Sequence, residues 1–163
     1  MAGLSFSKDI KIVGILDVLT TAASATRTSK VIDTLGFNGC CIVFHNGTMT
    51  AGSDTTLKVS RANAASDADT LTGPGDILGT SQAITATDDD KIYYIDIAVM
   101  DDTERYLQLT ATKDASNVSD ESAVAYLYNG SESPVTHGTG SGTSGGTGAV
   151  GGEFFTVTTE GTA

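Results

Sequence analysis

Few residues of this chain carry side chains that could act on another molecule. His45 and His137 are its two imidazoles, and acid–base catalysis needs such a group held in a dry site. His45 stands in the turn sequence His45-Asn46-Gly47-Thr48 and His137 opens a Gly-rich stretch, so both read as solvated turn residues. Cys40 and Cys41 are adjacent. On a strand they point to opposite faces, one into the core and one away from it. Two neighbouring thiols do not close a zinc site in the usual way, and a vicinal disulfide needs unusual backbone geometry. Gly140-Ser141-Gly142-Thr143-Ser144-Gly145 fits G-x-G-x-x-G, but that motif cradles pyrophosphate only between a strand and a helix N-terminus. The expectation is a protein that is not an enzyme, with no catalytic set, no cofactor and no metal site.

Two further groups have chemistry to offer. Asp88-Asp89-Asp90 and Asp101-Asp102-Thr103-Glu104 could present clustered oxygens to calcium; without an EF-hand pattern, solvated hairpin turns are the preferred reading. Tyr93, Tyr94, Tyr106, Tyr126 and Tyr128 could stack on a sugar. At period-two spacing they read instead as core or subunit-contact residues, and the absence of Trp weakens a carbohydrate site further.

The elements that must position these groups are strands. Of 163 residues, 25 are Thr, whose branched Cβ suits a pleated surface. Alternation runs through Lys91–Met100, where Tyr93, Ile95, Ile97 and Val99 share a face. It runs through Tyr106–Thr112, where Leu107, Leu109 and Ala111 oppose Tyr106, Gln108 and Thr110. It continues through Ala123–Tyr128, where Val124, Tyr126 and Tyr128 align. Cys40-Cys41-Ile42-Val43-Phe44 is apolar on both faces and suits a central strand. Thr56–Ser60, Gln82–Thr85 and Val31–Asp33 add shorter strands. The first element fits a helix through Ile12, Ile15, Leu16 and Leu19, or a strand through Ile10, Ile12, Leu16 and Val18 interrupted at Gly14; strand is preferred. Separators stand at Asn38-Gly39, Asn46-Gly47, Gly73-Pro74-Gly75, Asp88–Asp90, Asp101-Asp102 and Asn129-Gly130. About nine short strands without βαβ alternation specify an all-β fold, an antiparallel sandwich or barrel.

Charge excludes some partners. Nine Lys+Arg against twenty Asp+Glu give a net charge of −11, the wrong sign for nucleic acid or an anionic membrane surface. No basic lead with an apolar run opens the chain, and no apolar stretch nears the ~20 residues that span a bilayer. Synthesis in a reducing cytoplasm is therefore expected, with the sequons at Asn46, Asn117 and Asn129 silent. After Lys113 come six carboxylates (Asp114, Asp120, Glu121, Glu132, Glu153 and Glu160) and no Lys or Arg. Three units follow from composition: residues 1–137 as the β-sandwich domain, 138–152 as a linker with eight Gly in fifteen positions, and 153–163 as a C-terminal strand or arm. A strand on so long a leash, carrying Phe154, Phe155 and Val157, suits pairing with a neighbouring edge or a partner.

From Gly36 to His137 the succession of features resembles the capsid decoration, or cement, proteins of tailed bacteriophages. It runs Phe37-Asn38-Gly39, Phe44-His45-Asn46-Gly47-Thr48, Leu57-Lys58-Val59-Ser60, Ser66-Asp67-Ala68-Asp69 and Asp76-Ile77-Leu78-Gly79. It continues through Lys91–Asp96, Glu104–Leu109 and Ala123–Tyr128. The linker and the arm lie outside that pattern. The resemblance implies a jelly-roll-like sandwich, a homotrimer that binds the major capsid protein on the outer surface of the virion and stabilises the capsid. It implies synthesis in the host bacterial cytoplasm. With it, Phe154, Phe155, Val157, Tyr94 and Tyr106 become the candidate partner and self-contact residues. The alternatives are a head-fibre or tail-associated adhesin module binding host glycans, and a small hydrolase built on Asp88–Asp90, Asp101 and Asp102.

Overall fold

The computed structural model describes residues 9–21, 25–49, 54–66, 69–85, 87–88, 90–97, 102–114 and 118–131. His137, the linker 138–152 and the arm with Phe154, Phe155 and Val157 lie outside them.

The described residues form twelve strands and one 3-10 turn at Asp102–Glu104. The strands are β1 (Lys11–Thr21), β2 (Thr26–Thr28), β3 (Ile32–Asp33), β4 (Phe37–His45), β5 (Asp54–Ala62) and β6 (Ala64–Ser66), followed by β7 (Thr70–Thr72), β8 (Gly75–Asp76), β9 (Gln82–Thr85), β10 (Ile92–Ile97), β11 (Tyr106–Lys113) and β12 (Val118–Gly130). Sheet A has the order β1-β12-β4-β10, and sheet B the order β2-β11-β5-β8, with β3 extending the β2 position and β9 the β8 position. Every pairing is antiparallel. β1 pairs with β12, β2 and β3 with β11, β4 with β10, and β5 with β8 and β9. That is one long two-stranded ribbon, rolled until β12 meets β4 and β11 meets β5. The result is the jelly roll that closes most of its own edges, and the all-β sandwich read from the sequence is the fold observed.

Packing follows from a sequence short of bulky side chains. Phe44 is the largest fully buried residue, accompanied by Ile15, Ile32, Ile42, Leu57, Ile84, Leu107, Leu109 and Leu127. On the inner face of sheet A, β12 places small beside large: Ala123 opposite Phe44, Ala125 opposite Ile42, and Leu127 opposite Cys40. Complementary volumes let two sheets about 10 Å apart close without voids.

Several local expectations give way to this packing. In β1 the inward residues are Val13, Ile15 and Leu16, while Val18 and Leu19 are exposed. Register shifts between Gly14 and Leu16, and again before Leu19, change which side each residue faces. Asn38-Gly39 lies inside β4 rather than at a turn. A Cβ at Gly39 would overlap the Tyr128 ring, so glycine there makes room for a tyrosine on the next strand. Asn46 is buried, not solvated. Its N–H donates to the Lys91 carbonyl at 3.0 Å and its side-chain amide to the Asp88 carbonyl at 3.3 Å, tying the exit of β4 to the connection from β9 to β10.

The inner stripes of two strands end in opposite charges. Leu107, Leu109 and Ala111 continue to Lys113, and Leu127, Ala125 and Ala123 to Glu121. Lys113 Nζ lies 2.7 Å from Glu121 Oε1 with both side chains fully buried. Arg27 closes the same corner: Nη1 is 3.7 Å from Glu121 Oε2 and donates to the Glu121 carbonyl at 3.1 Å, while Nη2 donates to the Asp17 carbonyl at 2.7 Å. Burial pushes the Lys113 ammonium pKa down, and bonding to Glu121 opposes the shift.

Two predictions follow from these corners. Lys113→Met takes the nearest cation from the buried Glu121 carboxylate and should cost about 3–5 kcal/mol in urea unfolding, whereas Lys113→Met with Glu121→Met should recover most of the loss. A double variant as unstable as the single one would deny the pair that role. At the other corner, Asp88 accepts Lys91 Nζ at 2.7 Å and the Thr85 hydroxyl and N–H at 2.9 and 3.1 Å. Led by the Lys91 bond, these donors lower its pKa to about 2. A carboxyl depressed on folding stabilises above its unfolded pKa, near 4, and loses that contribution as pH falls through about 2. Thermal melts from pH 5 to pH 2 should show this fall, and Asp88→Asn should flatten it.

Candidate interaction surface

Strand alternation gives each sheet an outer face, and the two faces differ in chemistry. On sheet B the outward residues include Thr56, Lys58, Ser60, Gln108, Thr110 and Thr112. The β6–β7 hairpin lies over part of that face: Leu71 of β7 is buried, and so are Ser60 and Gln108 beneath it. Gln108 Nε2 donates to the Asp69 carbonyl at 2.7 Å. Ion pairs lie on this side, Lys58 with Asp76 at 3.1 Å and Arg105 with Asp33 at 3.1 Å, while Arg61, on the alternate face of β5, pairs with Glu104 of the 3-10 turn at 2.7 Å.

Sheet A is the reverse. Its registers line up three rows across the outer face. Tyr94, Val43, Val124 and Gly14 form one row, Asp96, Cys41, Tyr126 and Ile12 the next, and Gly39 and Tyr128 the last. Tyr94 is 68 % exposed and Ile92, on the same strand face, 67 %. Asp96 is the one carboxylate in these rows, and no Lys or Arg interrupts them. That carboxylate is engaged, since the Tyr128 hydroxyl donates to Asp96 Oδ1 at 2.7 Å. Burial first, and then the Asp96 bond and charge, push the Tyr128 hydroxyl up to about 12. Four strand spacings by some six residues of strand give a face of roughly 400 Å². A charge-poor, aromatic sheet of that extent on a chain of net charge −11 has the chemistry of a contact surface.

The two thiols divide as their alternation requires. Cys40 is buried, and desolvation raises its pKa to about 12; Cys41 is half-buried on the outer face, and burial followed by the Asp96 charge raises its pKa too. Neither environment favours the nucleophilic thiolate.

Tyr94 and Tyr106 are not brought together. Tyr94 stands on the outer face of sheet A. Tyr106 lies on the opposite side of the sandwich, half-buried under the Arg105 guanidinium, which sits 4.8 Å from its ring centroid and donates to its hydroxyl at 2.7 Å. His45 is exposed at the end of β4. Both carboxylate oxygens of Asp88 are taken by Lys91 and Thr85, and among the described residues no three His, Cys, Asp or Glu side chains come together to hold a metal. Sequence reasoning did not place Val43, Cys41 and Val124 together with Tyr94 on one outer face. The signal was there in the continuous apolar run of β4, which must present one of its two apolar faces outward wherever its sheet is left uncovered.

No protein-family model matches the chain, and no curated protein is similar to it in sequence. Among solved structures it is similar to a chain of the Bacillus endospore appendages, described as disulfide-linked pili, at 10 % identity and a TM-score of 0.42, over 78 % of this chain and 96 % of that one. It is also similar to a chain of infectious bursal disease virus, Gx strain, at 12 % identity and a TM-score of 0.42, and to one of the Gt strain at 10 % and 0.38. Both viral matches cover 78 % of this chain, which spans 33 % of each of those chains.

Proposed function

We propose that this chain is a structural virion protein that decorates and stabilises the outer surface of a bacteriophage capsid. It binds the major capsid protein and does so as a homotrimer. The observation that carries this reading is the outer face of sheet A, with Tyr94, Val43, Val124, Tyr126 and Tyr128 aligned and a single, hydrogen-bonded carboxylate among them. A specific interface buries about 800 Å² on each partner, about twice this face. One copy would therefore hold weakly, and a trimer on a repeating shell would hold through many such contacts at once. The excess of carboxylates elsewhere on the chain keeps free copies soluble until they meet that shell.

The test is the copy number of this chain, by quantitative mass spectrometry, in density-purified virus particles. A ratio near one per major shell subunit is expected. A handful of copies per particle would favour the adhesin alternative, and complete absence would sink both. Val43→Asp and Tyr94→Asp place charge in the proposed contact and should lower the retained copy number about tenfold while circular dichroism stays that of the parent. Undiminished retention of both variants would remove sheet A from the contact.

A further inference from the structure

We propose that Lys113 and Glu121 condense to an amide, an isopeptide bond that joins sheet B to sheet A inside the sandwich. The inference concerns the chain alone and stands or falls separately from any binding to a shell.

The strands hold an amine against a carboxyl in the interior. β11 belongs to sheet B and β12 to sheet A, so the two side chains meet across the space between the sheets. Lys113 Nζ lies 2.7 Å from Glu121 Oε1, and both side chains are fully buried. Their backbones are fixed as well. The Lys113 N–H donates to the Ala25 carbonyl at 3.0 Å, Lys113 pairs with Thr55 on its other side, and Glu121 pairs with Leu19. The inward neighbours along the two strands, Ala111 and Ala123, are buried and apolar. They bring no side-chain donor or acceptor to compete for either partner.

One proton transfer turns this ion pair into reactants. When the ammonium passes a proton to Oε1, the pair becomes a neutral amine and a neutral acid, the forms that cost least to bury. Burial pushes the Lys113 pKa down, which favours the same transfer. The amine lone pair then attacks Cδ. Oε1 is bonded to Cδ, so a 2.7 Å contact with the oxygen leaves the nitrogen within about one bond length of the ~3–3.5 Å separation from which attack proceeds. Arg27 Nη1, 3.7 Å from Oε2, is placed to meet the negative charge that develops on that oxygen. Thr55 stands opposite Lys113 on the inward face of β5, and its buried hydroxyl has no hydrogen-bond partner among the described residues. That hydroxyl is available to relay the second proton from nitrogen to the leaving oxygen. The C–N bond forms, the Cδ–Oε1 bond breaks, and Oε1 leaves as water with one proton from each transfer. An ammonium and a carboxylate thus become one amide and one water, with no co-reactant.

The product suits its site. Two buried charges are replaced by a neutral N–H and C=O, and Arg27 keeps the Glu121 and Asp17 carbonyls as acceptors. The ion pair selects the register as the sheets close, and the bond then makes that register permanent. It closes only the loop 113–121, so its entropic effect on the unfolded chain is smaller than that of a long-range cross-link. What it changes is mechanical: the two sheets cannot part at this end while the bond is intact.

Intact mass spectrometry of the purified full chain, denatured for the measurement, tests the assignment. The parent should be lighter than its sequence, counted with or without Met1, by the mass of one water. Lys113→Arg should keep the full mass. An endoproteinase that cuts before aspartate then locates the bond in the parent itself, whatever the folding of the variant. Cleavage before Asp114 and Asp120 releases residues 114–119, and the fragments carrying Lys113 and Glu121 should stay joined under denaturing conditions. A parent chain at the full mass of its sequence would overturn the proposal. So would a missing water with those two fragments separate, since the dehydration would then lie elsewhere in the chain.

Discussion

The face that β12 turns inward is decided by a buried charge. Both of its alternating sets are apolar: Ala123, Ala125 and Leu127 on one side, Val124, Tyr126 and Tyr128 on the other. Hydrophobic burial alone favours the tyrosine set, which has far more area to remove from water. The observed register does the opposite, and two features at the ends of the strand account for it. Glu121 belongs to the Ala-Ala-Leu set and meets Lys113 at 2.7 Å inside the sandwich, so a one-residue slip would turn the carboxylate out and leave Lys113 buried alone. At the other end, the missing side chain at Gly39 gives the Tyr128 ring a seat on the outer face. We attribute the register to these two constraints. The ion pair adds little net energy after desolvation, but it discriminates strongly between registers.

The aromatic outer face is thus a consequence of how the core is filled. With alanines opposite Phe44 and Ile42, sheet A needs few large residues inside, and Phe44 is the one aromatic among the largest fully buried side chains. Of five tyrosines, Tyr93 packs partly against the core and the other four lie on outer faces. Tyr106 is covered by Arg105, on the side where the β6–β7 hairpin and the ion pairs make a polar surface. Tyr94, Tyr126 and Tyr128 remain together on the side that no other described element covers. Among the described residues, three of the five tyrosines thus share the outer face of sheet A.

Much of this could be read from the residues in order, and the exceptions have physical causes. While their outer residues, Asn38-Gly39 and Asn129-Gly130 among them, read as separators, the centres of β4, β11 and β12, at Cys40–Phe44, Tyr106–Thr112 and Ala123–Tyr128, were legible from their alternation or continuous apolarity. β2, β6, β7 and β8 were not, since two or three Thr, Ala or Gly residues carry no periodic signal, and their partners supply the pairing. The bulges of β1 could not be seen because each is a register shift against β12, a property of two strands. Lys113 and Glu121 could have been found: each sits two residues beyond an inward alanine, and extending the alternation by one step puts a base and an acid on facing stripes. The aromatic outer face was half legible, with Tyr126 and Tyr128 aligned by their alternation, whereas the row that joins Tyr94 to Val43 and Val124 comes from strand order, which no local pattern encodes.

Charge distribution then determines how this molecule approaches any surface. At physiological ionic strength, charges more than about 8 Å apart are largely screened, so the net charge of −11 governs the encounter at a distance and local chemistry governs the contact. Like-charged copies meet least repulsion where carboxylates are fewest and already bonded, which is the outer face of sheet A with Asp96 held by Tyr128. The opposite face offers hydroxyls and paired ions, groups that lose as much to desolvation as they gain from a new partner. The asymmetry between the two sheets leaves one outer face aromatic and poor in charge and the other polar, and the register lock at Glu121 keeps the aromatic set outward.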